Sequence, residues 1–189
     1  MKFLAKSILD TEILAKSLGE VVKEKNILAL RGDLGAGKTS FTRALAEGMG
    51  INPDSVSSPT FTIMQVYKTD ASDLQLCHFD LYRLNDSDDF YSQGLADYFD
   101  HENIAVVLEW PDIIENILPE DRLDITIEVQ GDDVVDLDSD KIILATDSRD
   151  RQFTVNATGD RSSNLAKQWI DSPHFPYELL LDKNTFAQD

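Results

Sequence analysis

Apolar residues recur along this chain with two distinct periods, and the exchange between them predicts alternating helices and strands. Residues 2–9 suit a short edge strand. Over residues 11–25 the apolar positions Ile13, Leu14, Leu18, Val21 and Val22 fall on one helical face, with Asp10 or Thr11 placed to cap it. Residues 26–31 form a short apolar run that suits a buried strand. A glycine-rich stretch separates it from a second helical pattern over 38–49, which carries Phe41, Leu45 and Met49 and stops at Gly50.

Beyond a loop with Pro53, residues 61–68 and 74–81 read as two strands around a turn, the pattern of a hairpin. Residues 87–93 suggest a short helix. Residues 104–109, Ile-Ala-Val-Val-Leu-Glu, predict a strongly apolar strand, ended by Pro111. Alternation over 123–129, 141–145 and 151–157 predicts an antiparallel set completing the sheet, and 161–170 a final helix. Pro173 and Pro176 then argue for a tail, 172–189, with little regular structure. No repeat or linker divides residues 1–171, so they are expected to form one α/β domain.

Composition narrows the classes. A hydrophobic share of 42% supports an ordinary core and excludes a disordered chain. No apolar run approaches the roughly 20 residues that span a bilayer, and the first residues lack a signal-peptide core. Cys77 stands alone, so neither an internal disulfide nor a cysteine-based metal site is expected. These features point to the cytoplasm, with no membrane partner. The net charge of −18 opposes a dominant contact with a phosphate backbone. The acids concentrate between Asp121 and Asp150, which reads as a solvated face or a surface for a basic partner.

The chemistry centres on Gly32-Asp33-Leu34-Gly35-Ala36-Gly37-Lys38-Thr39, a complete G-x-x-x-x-G-K-[ST] between a predicted strand and a predicted helix. Glycines let the backbone curl so that its N–H groups reach phosphate oxygens, and the following helix adds the positive end of its dipole. Gly35, Ala36, Gly37, Lys38, Thr39 and Ser40 are therefore expected to bind ATP, with Lys38 at the β- and γ-phosphates and the Thr39 hydroxyl on Mg²⁺. The fold expected is a P-loop NTPase-like three-layer α/β structure around a mixed parallel and antiparallel sheet.

Mg²⁺ needs a second oxygen ligand. Asp80 and Glu109 each close an apolar strand, and either can hold the metal while the other positions the attacking water. His78 shares a strand face with Asp80 and is divided between a structural role and one near the γ-phosphate. Trp110 suits core packing, a cover over the nucleotide or a contact with a partner. His101 and His174 have no metal-ligand spacing. In Ser57-Ser58-Pro59-Thr60-Phe61-Thr62 a hydroxyl such as that of Thr60 either steadies a strand entry or senses the γ-phosphate.

The P-loop together with Ser58-Pro59-Thr60-Phe61, His78-Phe79-Asp80-Leu81-Tyr82-Arg83 and Glu109-Trp110-Pro111 resembles the TsaE family, with Gly94-Leu95 and Tyr98-Phe99 fitting between. The resemblance spans roughly residues 5–160. It implies a small ATPase, weak alone, that supports threonylcarbamoyladenosine modification of tRNA. Its implied partners are TsaB- and TsaD-like proteins, the heterodimer that transfers the threonylcarbamoyl group and through which tRNA is met indirectly. It further implies Thr39 and Glu109 as Mg²⁺ ligands, Asp80 near the γ-phosphate, and Ser7, Asp10 and Thr11 near the base or ribose. A small-molecule kinase is the competing reading. It would need an acceptor and a lid rich in arginine, and this chain has no Arg-rich insert. A GTPase switch is disfavoured, because no D-x-x-G occurs. A nucleotide sensor without turnover is a third class.

Overall fold

The computed structural model describes residues 1–69, 72–130 and 149–181. Seven strands among them form one sheet: β1 (Lys2–Ala5), β2 (Ile27–Arg31), β3 (Met64–Lys68), β4 (Gln75–Asp80), β5 (Ile104–Glu109), β6 (Leu123–Val129) and β7 (Arg151–Ala157). Their order is β1-β7-β6-β2-β5-β4-β3. The four central strands, β6, β2, β5 and β4, run parallel. Antiparallel β3 closes one edge, where the expected hairpin with β4 forms, and antiparallel β7 and β1 close the other.

The sheet therefore has the mixed character expected, with one change. Alternation over 123–129 predicts a member of an antiparallel set, yet β6 lies parallel to β2, and only its other neighbour β7 is antiparallel. Alternation in sequence reports which residues face the core and carries no sign of strand direction. The strand expected over 141–145 lies outside the described residues.

Helices cover both faces. α1 (Ile8–Gly19), α2 (Lys38–Gly48) and α4 (Asp160–Ile170) share a core with Leu28, Leu30, Val107, Ile125 and Phe153. On the other face α3 (Ser87–Ser92) and short 3-10 helices at Leu95–Phe99 and Pro111–Ile117 pack with Phe79, Val106 and Leu108. β5 is buried at every position, which explains its unbroken apolar run.

The register of α1 differs from the sequence expectation. Ser7, extended at φ −148°, caps it by accepting the Asp10 N–H at 3.1 Å, and the Asp10 carboxylate accepts the Lys6 N–H at 2.8 Å. The cap thus falls at Ser7 and not at Asp10 or Thr11. The buried stripe becomes Thr11, Leu14, Ala15 and Leu18, while Ile13 stays 39% exposed. After Ile170 the described residues add only a 3-10 turn at Tyr177–Leu179 and one bridge of Leu180 to Phe3, yet they pack on the domain. Phe175 sits edge-on to Trp169 at 5.5 Å, and the Leu181 N–H donates to the Lys2 carbonyl at 2.8 Å.

α1 crosses α2 at two glycines. A Cβ on Gly48 would lie 2.1 Å from the Lys16 carbonyl oxygen, and one on Gly19 would lie 2.1 Å from that of Leu45. Replacing a helical glycine by alanine ordinarily stabilises a helix by about 1 kcal/mol. Here Gly48→Ala is expected to cost about 1–3 kcal/mol by forcing the helices apart. Urea denaturation checks the sign, and a stabilised variant would contradict the packing.

Candidate functional site

Parallel pairing sends the carboxyl ends of β2, β5 and β4 to one edge of the sheet, where a crevice forms in folds of this kind. The loop 32–37 leaves β2 there. Gly32 sits at φ 142°, and a Cβ on it would lie 2.4 Å from the Ile127 carbonyl oxygen, so only glycine passes under β6. Gly37, at φ 106°, precedes α2, and no side chain caps that helix. The first N–H groups of a helix lack partners within it. Those of Lys38, Thr39 and Ser40 therefore belong to residues that line a cleft of about 370 Å³, together with Leu34, Gly35, Gly37, Ser58, Thr60, Asp80, Tyr82, Glu109 and Trp110.

Asp80 and Glu109 end β4 and β5 directly opposite each other, 4% and 3% exposed. Their partners differ. The Thr39 hydroxyl donates to Glu109, 3.0 Å from Oε1 and 3.1 Å from Oε2. His78 Nε2 lies 2.8 Å from the same Oε1. Asp80 Oδ2 instead accepts the hydroxyls of Ser58 and of Thr60, the latter at 2.5 Å, and its Oδ1 accepts the Tyr82 N–H at 3.2 Å. The two carboxylates, which residue chemistry alone leaves unranked, thus separate by geometry: Glu109 meets the P-loop threonine, and Asp80 meets the hydroxyl-rich loop. The rest of that loop is joined to the sheet by the Tyr67 hydroxyl, which donates to the Ser57 carbonyl at 3.1 Å.

Lys38 is 5% exposed. Its Nζ donates to the Gly32 and Asp33 carbonyls at 2.7 and 2.8 Å and lies 3.7 Å from the centroid of the Trp110 ring. Burial lowers its pKa below 10.5, and nearby Glu109, Asp80 and Asp33 oppose the shift. Trp110 holds this position from a left-handed backbone, φ 61° and ψ 46°, which is strained for so bulky a residue. Its ring also meets Tyr82 at 5.2 Å. Arg31, directly before the P-loop, ties down the segment after Trp110 by pairing with Asp112 and, at 2.6 Å, with Glu115.

Sequence reasoning missed Arg151. It opens β7 with 5% exposure, and its Nε donates to the Ala36 carbonyl at 3.1 Å, so a strand more than a hundred residues away fixes the loop's shape. Only the placement of β7 brings it there, and no local motif marks it. Asp10 and Thr11 are not among the cleft-lining residues. Asp10 serves the α1 cap, and the buried Thr11 hydroxyl faces the Ser7 carbonyl at 3.4 Å.

Fold and cleft together define an α/β protein with a glycine-rich loop and two buried carboxylates at the carboxyl edge of a mixed sheet. The family model of the threonylcarbamoyl adenosine biosynthesis protein TsaE matches residues 5–136, and the chain belongs to that family. It is 38% identical over 159 residues to the tRNA threonylcarbamoyladenosine biosynthesis protein TsaE of Bacillus subtilis (strain 168), covering 84% of this chain and 87% of the relative. The protein of the same description from Rickettsia conorii is 30% identical over 93% of this chain and 90% of its own length. The crystal structure of Bacillus subtilis YdiB superposes with a TM-score of 0.66 at 32% identity, over 90% of this chain and 94% of that one. No helix among the described residues is long and apolar enough to cross a membrane.

The lowered pKa of Lys38 has a sign that can be tested. Between that pKa and 10.5 the unfolded chain binds more protons at this site than the folded one, so the lysine's contribution to stability rises with pH. The unfolding free energy of wild type minus that of Lys38→Met is expected to increase with pH across this alkaline window. A difference that stays flat would show an unshifted lysine.

Proposed function

We propose that this protein binds ATP with Mg²⁺ and hydrolyses it in the cytoplasm in support of threonylcarbamoyladenosine modification of tRNA. It would act beside a heterodimer of TsaB- and TsaD-like proteins that carries out the threonylcarbamoyl transfer and meets the tRNA. The observation that carries the reading is the convergence of the Thr39 hydroxyl and the Glu109 carboxylate beside the cradle and Lys38. The tRNA-modification context rests on the family and on the names of the relatives.

The donor set fits the metal. Mg²⁺ favours hard oxygen ligands and is commonly held by one or two protein groups, with phosphate oxygens and waters completing the octahedron. Among the described residues no cluster of three or more His, Cys, Asp and Glu suits a metal ion. A site built from one hydroxyl, one carboxylate and a triphosphate needs none. Thr39 and Glu109 would hold the ion.

When bound, MgATP supplies the phosphoanhydride to be cleaved and part of the charge neutralisation at the γ-phosphoryl group. The chain supplies the rest. Backbone amides of Gly35, Gly37, Lys38, Thr39 and Ser40 would bind phosphate oxygens, with the Ala36 N–H donated to the Asp33 carbonyl at 3.1 Å, and Lys38 would turn its ammonium from the Gly32 and Asp33 carbonyls to the β- and γ-phosphates. Asp80 accepts a hydrogen bond from water and aligns it for in-line attack, while Ser58 and Thr60 orient that carboxylate. Trp110 covers the resting ammonium, and Tyr82 packs against the Trp110 ring.

Lys38→Ala is expected to weaken ATP binding by about ten- to a hundredfold, the loss of a charged hydrogen-bonding group. Calorimetry measures it, and unchanged affinity refutes the cradle. Glu109→Gln should keep the fold by circular dichroism and lose Mg²⁺-dependent phosphate release. A normal rate would move the metal role to Asp80.

Addition of the cognate heterodimer to wild type should raise hydrolysis without any small-molecule phosphate acceptor, and should sustain repeated rounds of tRNA modification. Failure to form a complex at micromolar concentrations would count against this role.

A further inference from the structure

His78 is wholly buried and sits on the face of β4 that also carries Leu76 and Asp80. β4 pairs with β5 so that His78 lies opposite Val107 and Asp80 opposite Glu109, which sets the imidazole diagonal to the glutamate. Its Nε2 is 2.8 Å from Glu109 Oε1, and its Nδ1 is buried with no hydrogen-bond partner. The neighbouring Tyr67 ring lies tilted at 6.5 Å, and its hydroxyl is committed to the Ser57 carbonyl.

These contacts fix the tautomer. A proton on Nδ1 would be a buried donor without an acceptor, at a cost of about 1–3 kcal/mol. A proton on Nε2 is donated to a carboxylate in a buried, charge-assisted bond and leaves only a lone pair unpartnered. Glu109 Oε1 then receives both the imidazole and the Thr39 hydroxyl, whereas Oε2 has the Thr39 hydroxyl alone.

We infer that His78 is a positioning residue for Glu109: as the Nε2–H tautomer it clamps Oε1 and leaves Oε2 beside Thr39 as the oxygen offered to a divalent cation. Its work lies one shell away from the nucleotide, so the role near the γ-phosphate is replaced by one behind the metal ligand. Groups that orient a ligating side chain typically govern metal affinity by about ten- to a hundredfold. The inference rests on the reading of Thr39 and Glu109 as Mg²⁺ ligands.

The test compares wild type with His78→Gln, whose amide extends as far as Nε2, and His78→Asn, whose amide reaches only as far as Nδ1. ATP affinity is measured by calorimetry with Mg²⁺ and with EDTA. With EDTA the three proteins should agree within about twofold. The enhancement by Mg²⁺ should fall about ten- to a hundredfold in His78→Asn and recover largely in His78→Gln. ¹⁵N NMR of the wild-type imidazole, recorded without nucleotide, should show protonated Nε2 and unprotonated Nδ1, a readout that holds even if His78→Asn fails to fold.

An Nδ1–H tautomer, or an Mg²⁺ enhancement intact in a folded His78→Asn, would overturn this inference alone. Wild type without any Mg²⁺ enhancement would remove the proposed function, and this inference with it.

Discussion

Asp80 and Glu109 face each other across adjacent parallel strands with almost no access to solvent, and the surrounding structure compensates two buried carboxylates. Like charges so placed repel each other and resist desolvation. Lys38 brings the opposite charge, and each carboxylate has its own donors. Ser58, Thr60 and the Tyr82 amide serve Asp80, and Thr39 with His78 serves Glu109. Ser58 and Thr60 come from the loop before β3, Thr39 from α2, and His78 and Tyr82 from β4 and the turn after it, so the carboxylates bind the P-loop helix, that loop and the sheet into one unit. The lysine in turn is drawn out of water by its own carbonyl contacts and by Trp110.

Much of this was legible in the sequence. The boundaries of β5, β6 and β7 follow from apolar runs and alternation, because burial on one or both faces writes itself into residue type. The P-loop and the two acids closing strands were visible because their chemistry demands particular residues in consecutive order. What sequence did not yield depends on through-space placement. Strand direction at β6, the meeting of Ser58 and Thr60 with Asp80, the turn of His78 toward Glu109 and the reach of Arg151 to Ala36 all arise from elements distant in the chain, whereas the pairing of Thr39 with Glu109 was implied by the family resemblance. The capping error at α1 has a local cause: Ser7, Asp10 and Thr11 are all competent caps, and the apolar stripe allows two registers.

Trp110 shows how strain is kept in place. A left-handed backbone at a bulky residue has a cost, met here by ring contacts on Lys38 and Tyr82 and by the ion pairs of Arg31 with Asp112 and Glu115. Since Arg31 and Gly32 are adjacent, the stem of the P-loop and the segment covering its lysine share one anchor.

The tether from Arg151 to the Ala36 carbonyl has a consequence for biosynthesis. A ribosome that has polymerised the first 130 residues has made the glycine loop, both acidic strand ends and most of the sheet, yet the guanidinium that shapes the loop is still untranslated. The nascent chain can collapse early, but its glycine loop gains this tether only after β7 has emerged from the exit tunnel and docked on β6.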